Sequence, residues 1–497
     1  MIINTSHRLV HKSIEIKELI KNPSEGRVDL RESLDHSLIE EAVKAQNLKL
    51  KASKFKPAVV LWIFLTQIFN SDASCKNALL QWIALLLKQK RKAFSSATGG
   101  YVLARAKLPL EFFIAVCFKI TSLLEEKYAD QIDWSYKGRN VKMIDGSTSV
   151  IADTPQNRKQ FPTSQTSSGY PILRYVVLIS YATGAWLDMK LGPYIGKGTG
   201  ESSLFIKMLQ ESLFIKKGDI LLFDRLFSSF VIMALCLQKE VDFVTQQFGA
   251  MKGEKLKTLR RVGDGDRLVE LKRPNSGDTS SDSTLLKSLP KVIILREITY
   301  FLSVPGFRTK KIVIMTSLLD PVQYPVNEVA TLYYRRWNCE LDLRSIKSIM
   351  HMHELRCKTP SMIEKELWTH AIGYNLIRSL IAQSACIHHL KPRELSFKGT
   401  LQILNAFRPY WFDQGDDNTL QFIYQLISKQ VLVFRPFRVE PRAIKRSGSP
   451  YSRLTQPRSE ARKGYWKKGS AFNKRKKDRK TASTYPMSVL TETVPVL

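Results

Sequence analysis

The chain has 497 residues, 44% hydrophobic and 25% charged, enough for roughly two to four folded domains. Its 77 Lys and Arg outnumber 45 Asp and Glu, leaving a net charge of +32, an excess that asks for nucleic acid or an acidic membrane surface. The most apolar stretches, 59–69 and 78–87, are broken by Thr66, Gln67 and Gln81 and fall short of the roughly 20 residues that span a bilayer, which argues against a membrane protein. The N-terminus has no apolar core followed by a cleavage site, so no signal peptide is expected. Cys75, Cys117, Cys236, Cys339, Cys357 and Cys386 lie far apart with no CxxC pair, against a disulfide framework and a zinc finger alike. A reduced, soluble, strongly basic protein is the expectation.

Residues 1–35 are polar, carry Pro23, Ser24, Glu25 and Gly26, and read as a flexible arm. Long apolar runs with few prolines predict an all-helical N-terminal domain over 36–135, broken at Ser95-Ser96-Ala97-Thr98-Gly99-Gly100. Its basic flank at 88–92 fits DNA contact and an ordinary solvated helix face equally well.

The texture changes near Asn140. Residues 141–145 are a short apolar run ended by Asp145-Gly146, a strand meeting a turn. Strands at 173–181 and 186–191 follow, joined by a hairpin at Ala182-Thr183-Gly184-Ala185. Residues 201–215 have helical spacing, 219–224 form a buried-type strand ending in Asp224, 230–238 read as a helix and 241–247 as a strand. This order predicts an α/β ribonuclease-H-like catalytic core, its first part over 136–247. Gly, Asp, Ser and Thr cluster over 248–322, and strands at 269–272, 291–297 and 311–316 predict a β-rich insertion there. The core resumes over 323–437 with a long helix at 327–350 and a helical stretch at 361–387. Residues 438–497 form a basic tail, expected to be disordered when unbound. Within it, 438–480 hold 16 Lys or Arg against three acids, a net +13, suited to a non-specific DNA clamp or merely to solubility.

Asp145 and Asp224 close strands of one sheet, and ligands gather at the carboxyl ends of such strands. Two carboxylates brought together repel, and a divalent cation such as Mg²⁺ relieves them. Simple strand-end capping is the bland alternative. On the expected long helix, Tyr333, Arg336, Glu340 and Lys347 fall within about 60° of one face at 100° per residue. A third carboxylate, two cations and an aromatic ring on one face suit a DNA end. An isolated Arg336–Glu340 pair, worth a few tenths of a kcal/mol, is the ordinary explanation. Cys339, His351, His353 and Cys357 cluster nearby, but their spacing matches no common zinc finger.

The pattern Tyr-x2-Arg-x3-Glu-x6-Lys, spelled by Tyr333, Arg336, Glu340 and Lys347, resembles the signature of the DDE transposases of insertion-sequence family four. It follows Asp145-Gly146-Ser147 and Asp224-Arg225-Leu226-Phe227, which resemble that family's first two acidic motifs in the right order. The β-rich insertion and the run Tyr374-Asn375-Leu376-Ile377-Arg378 are further points of likeness, and the resemblance spans about 36–460. It implies cut-and-paste DNA transposition, often through a hairpin on the transposon end, by a homodimer on paired ends in a bacterial cytoplasm near the nucleoid. It further implies that Asp145, Asp224 and Glu340 hold two Mg²⁺ ions, with Mn²⁺ as a substitute, while Arg336 and Lys347 clamp phosphate and Tyr333 braces it. The sequence departs from some relatives in having no Trp between Trp186 and Trp337 to hold a flipped base; Phe248, Tyr300, Phe301 and Phe307 are the candidates to replace it. A catalytically dead DNA-binding descendant and a junction-type nuclease of the same core stay open as alternatives.

Overall fold

A computed structural model describes residues 42–43, 55–92, 95–128, 134–162, 170–247, 256–275, 283–303, 310–408, 417–432, 463 and 484–486. The arm expected at 1–35 lies outside the described residues, as does the basic tail apart from 463 and 484–486.

Beyond the helical residues 42–43, the described chain continues with α1 (Pro57–Phe69), α2 (Cys75–Lys88), α3 (Gly99–Lys107) and α4 (Leu110–Tyr128). Pro57 opens α1 where a missing N–H is harmless, and Ser74 caps α2 by accepting from the Asn77 N–H at 3.1 Å. The expected break falls between α2 and α3, residues 95–98 being non-helical, and Gly99-Gly100 already begins α3. Gly100 lies so close to the Phe55 ring that a Cβ would sit 2.9 Å from it.

Next come β1 (Val141–Ile151), α5 (Pro155–Gln160), β2 (Ile172–Ser180), β3 (Trp186–Pro193), α6 (Glu201–Glu211), β4 (Ile220–Phe223), α7 (Phe230–Gln238) and β5 (Asp242–Gln246). They are followed by β6 (Leu256–Gly263), β7 (Asp266–Lys272), α8 (Ser283–Ser288), β8 (Val292–Ser303) and β9 (Lys310–Thr316). The chain then forms α9 (Val326–Tyr334), α10 (Trp337–Arg344), a π turn (Ser345–Ile349) and β10 (Glu354–Leu355). The last elements are α11 (Pro360–Ile387), α12 (Phe397–Ala406), α13 (Asp417–Ser428) and β11 (Thr484–Pro486).

The result is a mixed α/β fold on one large sheet, ordered β3-β2-β1-β4-β5-β9-β8-β7-β6, with β10 beside β1 and β11 beside β8. β4 runs parallel to β1 and to β5, while β2 and β3 are antiparallel. Every residue of β4 is buried, the pattern of a central strand covered on both faces. The strands of 248–322 extend this sheet through antiparallel pairing of β9 with β5. Among the described residues no helix is long and apolar enough to cross a membrane, and all six cysteines are free thiols.

Two expectations need correcting. Asp145-Gly146 is no turn: β1 runs straight through it, paired with β2 from Lys142 to Val150. The helix expected at 327–350 is not continuous. The Arg336 N–H reaches the Tyr333 carbonyl at 3.0 Å and the Cys339 N–H reaches that of Arg336 at 2.9 Å, a tight three-residue spacing that separates α9 from α10. Beyond α10 the Met350 N–H reaches back five residues to the Ser345 carbonyl at 3.1 Å, closing the π turn.

Helix α11 ties the layers together. The Tyr374 hydroxyl donates to the Gly184 carbonyl at 3.0 Å, inside the β2–β3 hairpin. Asn375 accepts from the Trp186 N–H and donates to both the Trp186 carbonyl and Thr121 of α4, each at 2.8 Å. Arg378 pairs with buried Asp342 of α10, which Arg393 also reaches at 2.6 Å. The Tyr374–Arg378 run is therefore a set of buried polar bolts between hairpin, α4, α11 and α10. The first four helices share one continuous apolar core with α11 and the sheet.

His370, one turn earlier on α11, is buried, its Nδ1 without a hydrogen-bond partner, and burial pulls its pKa from 6.5 down to about 3. The folded protein therefore holds it neutral, while the unfolded chain takes up a proton below pH 6.5. Stability from this group is intact above about 6.5 and lost as pH falls towards 3, at about 1.4 kcal/mol per unit. Urea unfolding at pH 6.5 and pH 5 should show wild type losing about 2 kcal/mol more than His370→Leu across that interval. Equal losses in the two proteins would show that His370 is not held neutral.

Candidate active site

The parallel pairing of β1 with β4 ends at Ile144 opposite Phe223. The next residue along β1 is Asp145 and the residue that follows β4 is Asp224, so the register alone sets the two side by side where β4 stops, while β1 runs on to Ile151. Asp224 leaves β4 in extended conformation and leads into the short turn Arg225–Phe227. α9, α10 and the π turn after them bring the remaining signature residues to the same place.

Arg336 stands at the tight turn between those helices and faces the acids. Its guanidinium donates to Glu340 at 2.9 Å and lies 3.7 Å from the Asp145 carboxylate. Burial works against its charge, but Tyr333, Glu340, Asp145 and Asp224 more than offset this and raise its pKa. Asp145 shows the reverse balance. Burial pushes its carboxyl up to about 6, Arg336 and the Gly146 N–H at 2.8 Å pull it down, and the charges of Glu340 and Asp224 add to the rise. Three carboxylates thus crowd one strand end, with one guanidinium between two of them.

Lys347, inside the π turn, donates to Ser147 Oγ at 2.9 Å, two residues along β1 from Asp145. Burial lowers its pKa. The tight turn winds the chain further per residue than an α-helix, and the π turn less. With both in place, Arg336 and Lys347 contact the same short stretch of β1.

Tyr333, expected to brace the phosphate by stacking or hydrogen bonding, does not stand open on the helix surface. It is buried at 7% exposure, and its hydroxyl meets the Gln246 backbone and Arg336; burial raises its pKa to about 12. It supports the guanidinium from beneath and presents no ring to a ligand. Among the aromatic candidates for holding a flipped base, Tyr300 is also buried, Phe301 is half-buried, and Phe248 and Phe307 lie outside the described residues.

Among the described residues no three His, Cys, Asp or Glu side chains already meet as a metal site. This holds for Cys339, His351, His353 and Cys357 too; the two His rings stand 6.2 Å apart and both thiols are buried. Asp145, Asp224 and Glu340 nevertheless fit a divalent cation chemically. They are an all-oxygen donor set for a hard ion, and their mutual repulsion is what such an ion relieves.

One acid escaped the sequence reading. Glu201, first residue of α6, lays its carboxylate over Gly146, where an added Cβ would come within 2.4 Å of it. Burial raises its pKa, Arg174 lowers it, and the charge of Asp224 raises it again. A Gly-Glu pair at a helix start is the only trace it leaves in the sequence, and that reads as an ordinary first-turn acid.

Residues 136–376 match the family model described as Transposase DDE domain. The transposase InsG for insertion sequence element IS4 of Escherichia coli (strain K12) is 29% identical over 373 residues, covering 73% of this chain and 79% of that protein. Among solved structures, a cryo-EM structure of a piggyBac transposase synaptic complex with hairpin DNA is loosely similar. The match covers 80% of this chain and 84% of that one, with a TM-score of 0.38 and 10% identity.

Proposed function

We propose that this chain, similar over most of its length to the transposase of IS4, is a DDE transposase of insertion-sequence family four that cuts an insertion sequence free at its terminal inverted repeats and joins the ends to target DNA. The observation that carries this reading is the convergence of Asp145, Asp224, Glu340 and Arg336 where β4 stops. The core around them is read as ribonuclease-H-like, with 248–322 as its β-rich insertion and the helices before β1 as a DNA-binding platform.

Asp145, Asp224 and Glu340 would hold two divalent cations, Mg²⁺ in the cell. When bound, such ions lower the pKa of the attacking water or 3′-hydroxyl and stabilise the leaving oxygen of an in-line displacement. The chain's own residues do the rest. Arg336, engaged with Asp145 and Glu340 in the DNA-free protein, transfers to the scissile phosphate as DNA enters and holds it against the acids. Tyr333 keeps that guanidinium forward. Lys347, partly stripped of water, offers a second positive charge to a neighbouring phosphate. Hydrolysis forms a phosphorus–oxygen bond from water and releases a 3′-hydroxyl on the transposon end; joining repeats the displacement with that hydroxyl as nucleophile.

Joining two ends calls for two such sites, so the working unit is a homodimer holding paired ends. The net +13 over 438–480 supplies sequence-independent grip on duplex DNA, with salt dependence to match. A hairpin intermediate would need an aromatic clamp, and among the described candidates only Phe301 is not fully buried.

The test is incubation of the full chain, with Mg²⁺, on DNA carrying the inverted repeats that flank its coding region. Free 3′-hydroxyls at the repeat ends and joined products are expected. Tight binding to the repeats without strand breakage would overturn the reading in favour of a DNA-binding protein alone.

A further inference from the structure

We infer that Glu201, at the start of α6, is a further ligand of this site, for the divalent cation that Asp224 holds. The inference rests on the cleavage role proposed above.

The position of the carboxylate carries the argument. A Cβ at residue 146 would lie 2.4 Å from Glu201 Cδ and 2.5 and 2.8 Å from its two oxygens. Side chains alternate along a strand, so residue 146 faces the side of the sheet opposite Asp145. Glu201 therefore reaches the strand end from the α6 side, while Arg336 and Glu340 approach with α9 and α10. Asp224, at the open end of β4, lies within electrostatic reach of Glu201, Asp145 and Arg336 alike. Glycine at 146 then has a clear reason. It leaves room for this carboxylate in a strand where any larger residue would push it away.

Two simpler explanations fall short. A first-turn acid gains from the helix dipole while pointing to solvent, yet this one is turned onto the strand and partly desolvated. A counter-ion role for Arg174 is also incomplete. That guanidinium donates to the Thr199 carbonyl at 3.1 Å and lies on the Tyr194 ring at 4.5 Å. Among the described residues no hydrogen bond or ion pair holds the Glu201 carboxylate, although the buried side of α6, with Leu204, Phe205, Met208 and Leu209, fixes the helix beneath it. A carboxylate held in place without a hydrogen-bond donor is suited to a cation.

The experiment is calorimetric titration of Mn²⁺ into the DNA-free full chain, as wild type, Asp224→Asn, Glu201→Gln and Gly146→Ala. Glu201→Gln keeps shape and removes charge, and should weaken Mn²⁺ binding by about tenfold or more. Gly146→Ala should do the same by displacing the carboxylate. In a Glu201→Ala background, where the new methyl has room, Gly146→Ala should add nothing. If Asp224→Asn loses the ion while Glu201→Gln binds like wild type, the inference is overturned and the cleavage reading stands. If Asp224→Asn also binds like wild type, the reading of the site falls with it. A Gly146→Ala loss that persists without Glu201 would overturn the inference by assigning the effect to the Gly146 backbone.

Discussion

Replacing Asp145, Asp224 or Glu340 by Ala should slow strand cleavage by about a thousandfold or more, while affinity for end DNA changes little. On the proposed reading the two readouts separate because the acids would serve the transition state, whereas affinity would rest on many phosphate contacts of a chain with net charge +32. Folding should survive, and for Asp145 it should not weaken at all. Its carboxyl, pushed up to about 6 by burial and by the charges of Glu340 and Asp224, is a burden to the cation-free protein. Asp145→Ala should thus melt no lower than wild type without divalent ions, the usual trade of stability for activity at a working site. End-labelled DNA and a thermal melt check both halves. A Glu340→Ala protein that still nicks ends in Mg²⁺ would remove Glu340 from the site.

The sequence made the acids legible because the strands beneath them are buried on both faces. Ile220–Phe223 reads as an unbroken apolar run for that reason, and the start of β1 does so apart from Lys142, which is buried against Asp219. The helices before β1 and α11 were equally plain, being long apolar segments with few interruptions. What could not be read is what distant contacts decide. Arg335-Arg336 contains neither Gly nor Pro, yet the chain tightens there; Arg335 reaches Tyr181 while Arg336 turns to Asp145. Nothing in Ser345–Ile349 announces a π turn. Asp145-Gly146 looks like a turn by local chemistry, and only the approach of Glu201 explains the glycine inside a strand. β6 went unnoticed because Lys257, Arg260 and Arg261 hide its alternation, as charges commonly do on an edge strand.

The break in the signature helix alters how its residues divide their work. On one regular helix Tyr333, Arg336, Glu340 and Lys347 would form a single DNA-facing stripe. In the folded chain Tyr333 is buried, Arg336 is held against two acids, and Lys347 is fastened to β1 through Ser147. On the proposed reading, Arg336 thus fills, in the DNA-free state, the electrostatic place that a divalent cation would take in the working enzyme.

This makes Arg336→Ala the most discriminating substitution at the site. Cleavage should slow by about a hundredfold, the scale seen when one preorganised charge donor to a transition state is lost. Mn²⁺ binding to the DNA-free protein should move the other way and tighten several-fold, because the guanidinium 3.7 Å from Asp145 and 2.9 Å from Glu340 no longer competes for those carboxylates. Without cation the variant should melt lower than wild type, since Asp145, Glu340 and Asp224 then repel one another unscreened, and added Mn²⁺ should restore more of its melting temperature than wild type gains. Arg336→Lys keeps the charge but not the planar fork, so it should fall between the two in both assays. Calorimetry, thermal melts and single-turnover cleavage read the three effects separately. Loss of Mn²⁺ binding and of cleavage together in Arg336→Ala would make Arg336 a structural support for the acids instead of their resident counter-ion.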